Sequence, residues 1–156
     1  MSYIVVSKKL TYGWKINSWR QLSPAENQGK HNIYIDALIN GNKQRGLTVI
    51  WGWKGQRKDE LSPPVKMDKP LNEPGCNIPI EKGQEIWIEI QDAKYPSERI
   101  EGFDTISDIS WGHVSYYVQF ELVTNNEQPP TKPSTDELMK QIAALAKQIL
   151  ELSQEK

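Results

Sequence analysis

Cysteine is almost missing from this 156-residue chain, with Cys76 the single copy. No intrachain disulfide can form, and a thiolate zinc cage would need ligands the chain does not have. Folding in a reducing compartment is therefore expected. Charge of one sign is missing too. Nineteen Lys and Arg against twenty Asp and Glu leave a formal net charge of −1, without the basic excess that displaces counterions from phosphates. No nucleic-acid partner is expected. Long apolar runs are absent, and stretches such as Ile4-Val5-Val6 fall far short of the ~18 residues of a membrane span. No membrane partner is expected either. The opening MSYIVVSKKL places its lysines after the apolar stretch, the reverse of a secretory signal. The expectation is synthesis in the cytoplasm without a signal peptide.

Catalytic signatures are equally scarce. His31 and His113 are far apart and neither opens an H-E-x-x-H or H-x-E motif, so no metal site is read from spacing. No serine sits in a G-x-S-x-G elbow and no glycine array resembles a phosphate cradle. Cys76 follows Pro74-Gly75 and precedes a short apolar stretch, the setting of a buried small residue rather than a nucleophile. Asp59, Glu60, Asp104 and Asp108 would be the carboxylates of a glycan or cell-wall hydrolase, yet polar sequence surrounds them where a proton donor needs a dry pocket. No catalytic residue and no cofactor are expected, and the chain reads as a non-enzyme.

Tryptophan, by contrast, is abundant, with six copies against two phenylalanines. Indoles fill cores, but each brings an N–H to satisfy, and several together suit an amphipathic recognition surface. Residues 1–123 read as β-structure. Ile33, Ile35, Ala37 and Ile39 alternate with Tyr34, Asp36 and Leu38 up to the turn signal Asn40-Gly41-Asn42. Val49, Trp51 and Trp53 then alternate with Thr48, Ile50 and Gly52, so the two segments read as a hairpin. Ile86, Ile88 and Ile90 alternate with Trp87 and Glu89. The clearest half-buried strand is Val114, Tyr116, Val118, Phe120 and Leu122 against Ser115, Tyr117, Gln119 and Glu121. Weaker strands fall at 3–8, 14–21, 65–67 and 77–80. No helical period appears before residue 134. Seven or eight short strands between turn residues predict an antiparallel β-sandwich, Ig-like or jelly-roll-like, with a small barrel as the rival. Two connections are long, 54–64 and 91–113. The second keeps Tyr95, Phe103 and Trp111, which marks an ordered surface excursion.

Composition breaks at 124–133, where TNNEQPPTKP holds three prolines and reads as an extended spacer. Ser134-Thr135-Asp136-Glu137 has capping-box spacing. Leu138, Ile142, Leu145, Ile149 and Leu152 then recur at alternating spacings of four and three, a heptad seam that Met139, Ala143, Ala146 and Leu150 widen. So short a helix is marginal alone in water. Residues 134–156 are therefore expected to form a coiled-coil-type helix that gathers a homo-oligomer, a trimer or higher, or docks on a partner helix; the alternative is folding back on the sandwich.

Binding fits these residues better than catalysis. Trp51 and Trp53 share one strand face about 7 Å apart, as core or as ligand platform. Trp87 opposes the isoleucine row and is expected to face outward beside Glu85 and Glu89. With Tyr95 and Trp111 of the long loop, these are the candidate ligand-binding residues, suited to stacking on sugar rings.

Four stretches carry a resemblance: LSPAENQGKHNIYIDAL (22–38), GLTVIWGWKGQRKDE (46–60), DKPLNEPGCNIPI (68–80) and SWGHVSYYVQFEL (110–122). Across residues 14–123 the chain resembles an uncharacterised Trp-rich β-sandwich domain of bacterial cell-wall- or glycan-associated proteins and phage-related open reading frames. The resemblance brings no catalytic residues and implies an accessory, surface-facing sandwich that binds glycan or protein. A spacer and seam add multivalent display, which strengthens weak sugar binding by avidity. The leading expectation is a phage structural protein on the virion surface (a capsid-decorating, tail or fibre component) assembled through its helix. A bacterial carbohydrate-binding accessory protein is the runner-up.

Overall fold

The computed structural model describes residues 3–81, 83–105 and 114–124, together with Ile142. The chain divides into two units, Met1–Thr124 and Asn125–Lys156, and the strands and the short helix all belong to the first. They are β1 (Val5–Lys8), β2 (Gly13–Gln21), α1 (Pro24–Asn27), β3 (Asn32–Ile39), β4 (Asn42–Lys43), β5 (Thr48–Trp53), β6 (Val65–Lys66), β7 (Cys76–Pro79), β8 (Ile86–Gln91), β9 (Arg99–Phe103) and β10 (Tyr116–Val123). The first sheet runs β1-β9-β8-β5-β6. The second runs β2-β10-β3-β4, with β7 also paired to β3.

The mostly β character follows the alternation in the sequence. Ile33, Ile35, Val118 and Phe120 of the second sheet and Ile86, Ile88, Ile100 and Phe103 of the first are fully buried in one cluster. Each large apolar side chain so buried contributes about 1.5–3 kcal/mol. Phe103 and Tyr116 close the contact between the sheets edge to face, with ring centroids 5.1 Å apart.

Five expectations need correction. The sheets are not purely antiparallel, because β10 lies parallel to β3, with Tyr116 opposite Ile33 and Phe120 opposite Ala37. Its strand returns after a long excursion through the other sheet, so no tight turn dictates its direction. The hairpin expected between residues 33–39 and 47–53 does not form. Asn40 and Gly41, both at positive φ, make the tight turn their types favour, but it joins β3 only to the two-residue β4. The chain then crosses over, and β5 pairs with β8 and β6 in the opposite sheet. Placing two strands with apolar faces in facing sheets buries both against each other.

The stretch 91–113 is not one long loop. It contains β9, whose period-2 pattern is interrupted at Gly102. Ile86 sits opposite Phe103 and Trp87 opposite Glu101, so Gly102 is an extra residue in the ladder, a bulge held at φ 99. Ile100 and Phe103 therefore both point inward although three apart. One helical turn also precedes residue 134: α1 carries a capping box in which Ser23 accepts from the Glu26 amide and the Glu26 carboxylate accepts from the Ser23 amide. With β4 and β9 added, the described residues hold ten strands rather than seven or eight.

Residues 92–98 fasten the sheets together. The Trp14 amide donates to the Pro96 carbonyl and the Glu98 amide to the Trp14 carbonyl, each at 2.8 Å. The Glu98 carboxylate accepts from the amides of Leu10 (3.0 Å) and Ile16 (2.8 Å). Asp92 accepts from the Trp14 indole at 2.8 Å. The spacer at 125–133, the seam residues Leu138, Leu145, Ile149 and Leu152, and Trp111, Asp108 and His113 lie outside the described residues. Ile142 is described, and it is 61% exposed.

Candidate functional site

The five described indoles do not share one face. Trp51 and Trp53 lie opposite Ile88 and Ile86 on the inner side of the first sheet, half-buried and packed against the core. Their rings are 5.9 Å apart, and the Trp51 indole N–H donates to the Pro63 carbonyl at 2.9 Å. Loop 54–64 thus closes over the pair. Tyr95 packs against the core as well, under the Lys94 ammonium at 4.9 Å.

Trp87 points outward, as its place opposite the isoleucine row predicts. It lies across from Gly52 on β5 and Glu101 on β9. A side chain at position 52 would bring its Cβ to 2.8 Å from the indole, so the glycine is what lets the ring lie against β5. On one face the Arg99 guanidinium stacks at 4.0 Å from the ring centroid. Arg99 is itself held by Glu89 (3.0 Å), and Glu89 by Lys8 (2.7 Å). This chain of ion pairs fixes the ring in position.

Beside that ring runs a groove of about 530 Å³ along the outer surface of the first sheet. Trp87 and the 78% exposed Tyr3 give it aromatic surface, Trp53 borders it at the end of β5, and Glu85, Glu101 and Lys54 give it both signs of charge. Lys54 pairs with Glu85 at 2.9 Å, and that bond raises the lysine pKa. Gly102 completes the wall, since any Cβ there would strike the Tyr3 carbonyl of the adjoining chain.

Of the candidates drawn from the sequence, the structure brings Trp53 and Trp87 into one groove. Trp51 touches Trp53 but does not line it, and Tyr95 lies elsewhere. Sequence reasoning missed Tyr3, Lys54 and Glu101. Tyr3 opens the weak stretch 3–8, of which only Val5–Lys8 is strand, and Glu101 belongs to the bulged strand whose alternation is broken, so neither carried a usable signal.

Residues 68–75, within one of the stretches that carry the resemblance, are wrapped around one arginine. Arg45 donates to the carbonyls of Lys69 (2.6 Å), Pro70 (3.0 Å) and Glu73 (2.8 Å), and reaches Asp36 at 3.2 Å. Asp36 is wholly buried. It also meets Lys43 (2.9 Å), the Gly75 amide (3.0 Å) and the Tyr117 hydroxyl (2.8 Å). Through the Gly75 amide and Arg45 this carboxylate holds the loop to β3, and through Lys43 and Tyr117 it ties in β4 and β10. Cys76 beside it is buried, which pushes its thiol up to about 12 and keeps it an unreactive thiol. Among the described residues no group of three or more His, Cys, Asp or Glu is placed to hold a metal ion. Compared with known proteins, this chain matches no protein-family model, no curated protein and no solved structure.

Proposed function

We propose that this chain is a non-enzymatic binding and display protein. Its β-sandwich body, Ig-like or jelly-roll-like in kind, offers a saccharide-binding groove, and residues 134–156 gather copies. The observation that carries this reading is the groove: aromatic surface from Trp87 and Tyr3 set beside Glu85, Glu101 and Lys54 on one outer wall. Sugar rings present apolar C–H faces to aromatic rings while their hydroxyls need both donors and acceptors at the rim. Glu85 stands on this open wall in a pair with Lys54, not in the dry enclosure that a proton-donating carboxyl requires.

The setting we propose is the surface of a phage particle, as a capsid-decorating, tail or fibre component. The spacer at 124–133 and the seam from Leu138 to Leu152 support it, because repeated display converts weak sugar contacts into avidity. A glycan array probed with the intact chain tests the groove. Binding is expected, and Glu101→Gln, at a partly exposed position that spares the core, is expected to weaken it by about tenfold or more. Binding that is indifferent to both Glu101→Gln and Trp87→Ala removes the groove from the reading.

A further inference from the structure

β2 is an edge strand of the second sheet, paired on one side with β10. Over the first half of its length the chain itself closes the other side. Ser97 forms a parallel bridge to Trp14, through the Trp14 amide on the Pro96 carbonyl and the Glu98 amide on the Trp14 carbonyl. The Glu98 carboxylate takes the Ile16 amide. Past Glu98 the chain leaves to form β9 in the first sheet, and every residue of β2 from Asn17 to Gln21 is exposed.

Register tells which main-chain groups this leaves open. Along an antiparallel pair, residues that exchange hydrogen bonds alternate with residues whose groups point away from the partner strand. The Leu22 amide donates to the Ser115 carbonyl at 2.8 Å. Gln21, opposite Tyr116, and Trp19, opposite Val118, therefore turn their N–H and C=O groups to the open side, where no described residue meets them. Exposed edges are ordinarily blunted by lysine, proline, an inward charge or a bulge. Here the bulge at Asn17 lies at the boundary between the closed and the open half, the inward residues beyond it are an indole and an amide, and Arg20 is held by Glu26.

Beside the open edge lies a cleft of about 330 Å³, with Trp19 and Tyr116 on one wall and Tyr3 and Ile4 on the other. Trp19 shares the inner face with buried Val118, yet it is 42% exposed. Side chains of a strand laid along this edge alternate between the two faces, and those on the inner face point into the cleft.

A second copy of β2 fits the edge poorly. The two-fold register that uses both Trp19 and Gln21 sets Arg20 directly against Arg20 of the copy, like charges face to face. Centring on Trp19 sets Gln21 against the bulged Asn17. Centring on Gln21 sets Trp19 against Ser23, whose amide and carbonyl are already taken within α1.

We propose that the open half of β2 is a peptide-binding edge. An extended segment of a second protein adds to the second sheet as a further strand beside Trp19 and Gln21, and an apolar side chain of that segment enters the cleft. Alternating main-chain donors and acceptors are matched by another extended polypeptide, and the pocket selects among its alternate side chains.

An array of end-blocked heptapeptides, with threonine at alternate positions and every residue type at those between, probed with the intact chain, tests the proposal. Bound peptides are expected to share one large apolar residue. N-methylation of one set of alternate amides in the strongest binder is expected to weaken it by about tenfold or more, while methylation of the other set is tolerated. Gln21→Pro removes one edge donor and leaves the ladder to β10 in place; it is expected to weaken the same peptide by about tenfold or more, with the unfolding temperature little changed. Trp19→Ala, which keeps every main-chain group, is expected to abolish the preference for the large apolar residue. An array with no bound peptide overturns the proposal. So does binding indifferent to methylation of either set, or binding that survives both Gln21→Pro and Trp19→Ala. A fall in the oligomer mass of the intact chain in Gln21→Pro assigns the edge to a second copy and overturns it as well.

Discussion

Asp36 shows how a single residue misleads and then explains. In the sequence it interrupts an apolar strand, on the face opposite Ile33, Ile35 and Ala37. In the structure it is wholly buried and joins Arg45, Lys43, the Gly75 amide and Tyr117. Removing one member of a buried charge cluster costs about 3–5 kcal/mol; because both cations here retain some solvent access, Asp36→Ala is expected near the lower end, read as a shifted denaturation midpoint. Loop 68–75 is expected to loosen with it, read by faster amide exchange at Gly75. Cys76 makes a second prediction at this scale. Burial holds its thiol at about 12, so the folded protein at pH 8 is expected to resist iodoacetamide and to react stoichiometrically only once unfolded, as mass spectrometry would record. The stretch 68–75 serves packing.

At the scale of elements, α1 is a four-residue helix kept in place by electrostatics. The Arg20 guanidinium and the Ser23 amide hold the Glu26 carboxyl at about 2, below its ordinary 4.5. A depressed carboxyl contributes its stability in full above the ordinary value and loses it as pH falls through about 2. An NMR titration of Glu26 should therefore show a midpoint near 2, moving toward 4.5 in Arg20→Ala. β9 depends instead on its glycine bulge. Gly102 sits at φ 99, and a Cβ there would meet the Tyr3 carbonyl, so Gly102→Ala is expected to lower stability by about 1–3 kcal/mol. It should also detach the stretch before β1, increasing protease access around Tyr3 while Ile86, Ile88 and Ile90 stay protected. Alternation announced β3, β5, β8 and β10 because their periods are unbroken. It did not announce β9, where one inserted residue resets the phase, nor the two-residue β4, which is too short to show a period.

For the whole molecule, the division at residue 124 separates the two-sheet body from the segment with the heptad pattern. Ile142 is 61% exposed, and the proposed gathering of copies would cover it. Sedimentation equilibrium of the intact protein is expected to give a trimer or larger species, and a chain ending at Thr124 is expected to run as a monomer with its unfolding temperature little changed. Monomers in both cases would leave the display reading without its means of gathering copies.

The sequence by itself determined that the body is built from short strands with one apolar side each, because hydrophobic alternation is local and each strand carries its own record of it. It also marked Trp87 as outward and exposed the change of character at residue 124. Only the tertiary structure decided which strands share a sheet, that β3 and β5 face each other rather than pair, and that Tyr3, Trp53, Trp87 and Glu101 border one groove. Those outcomes depend on contacts between residues far apart in the chain, selected by how two apolar faces fit together across the core, and no stretch of the sequence holds them alone.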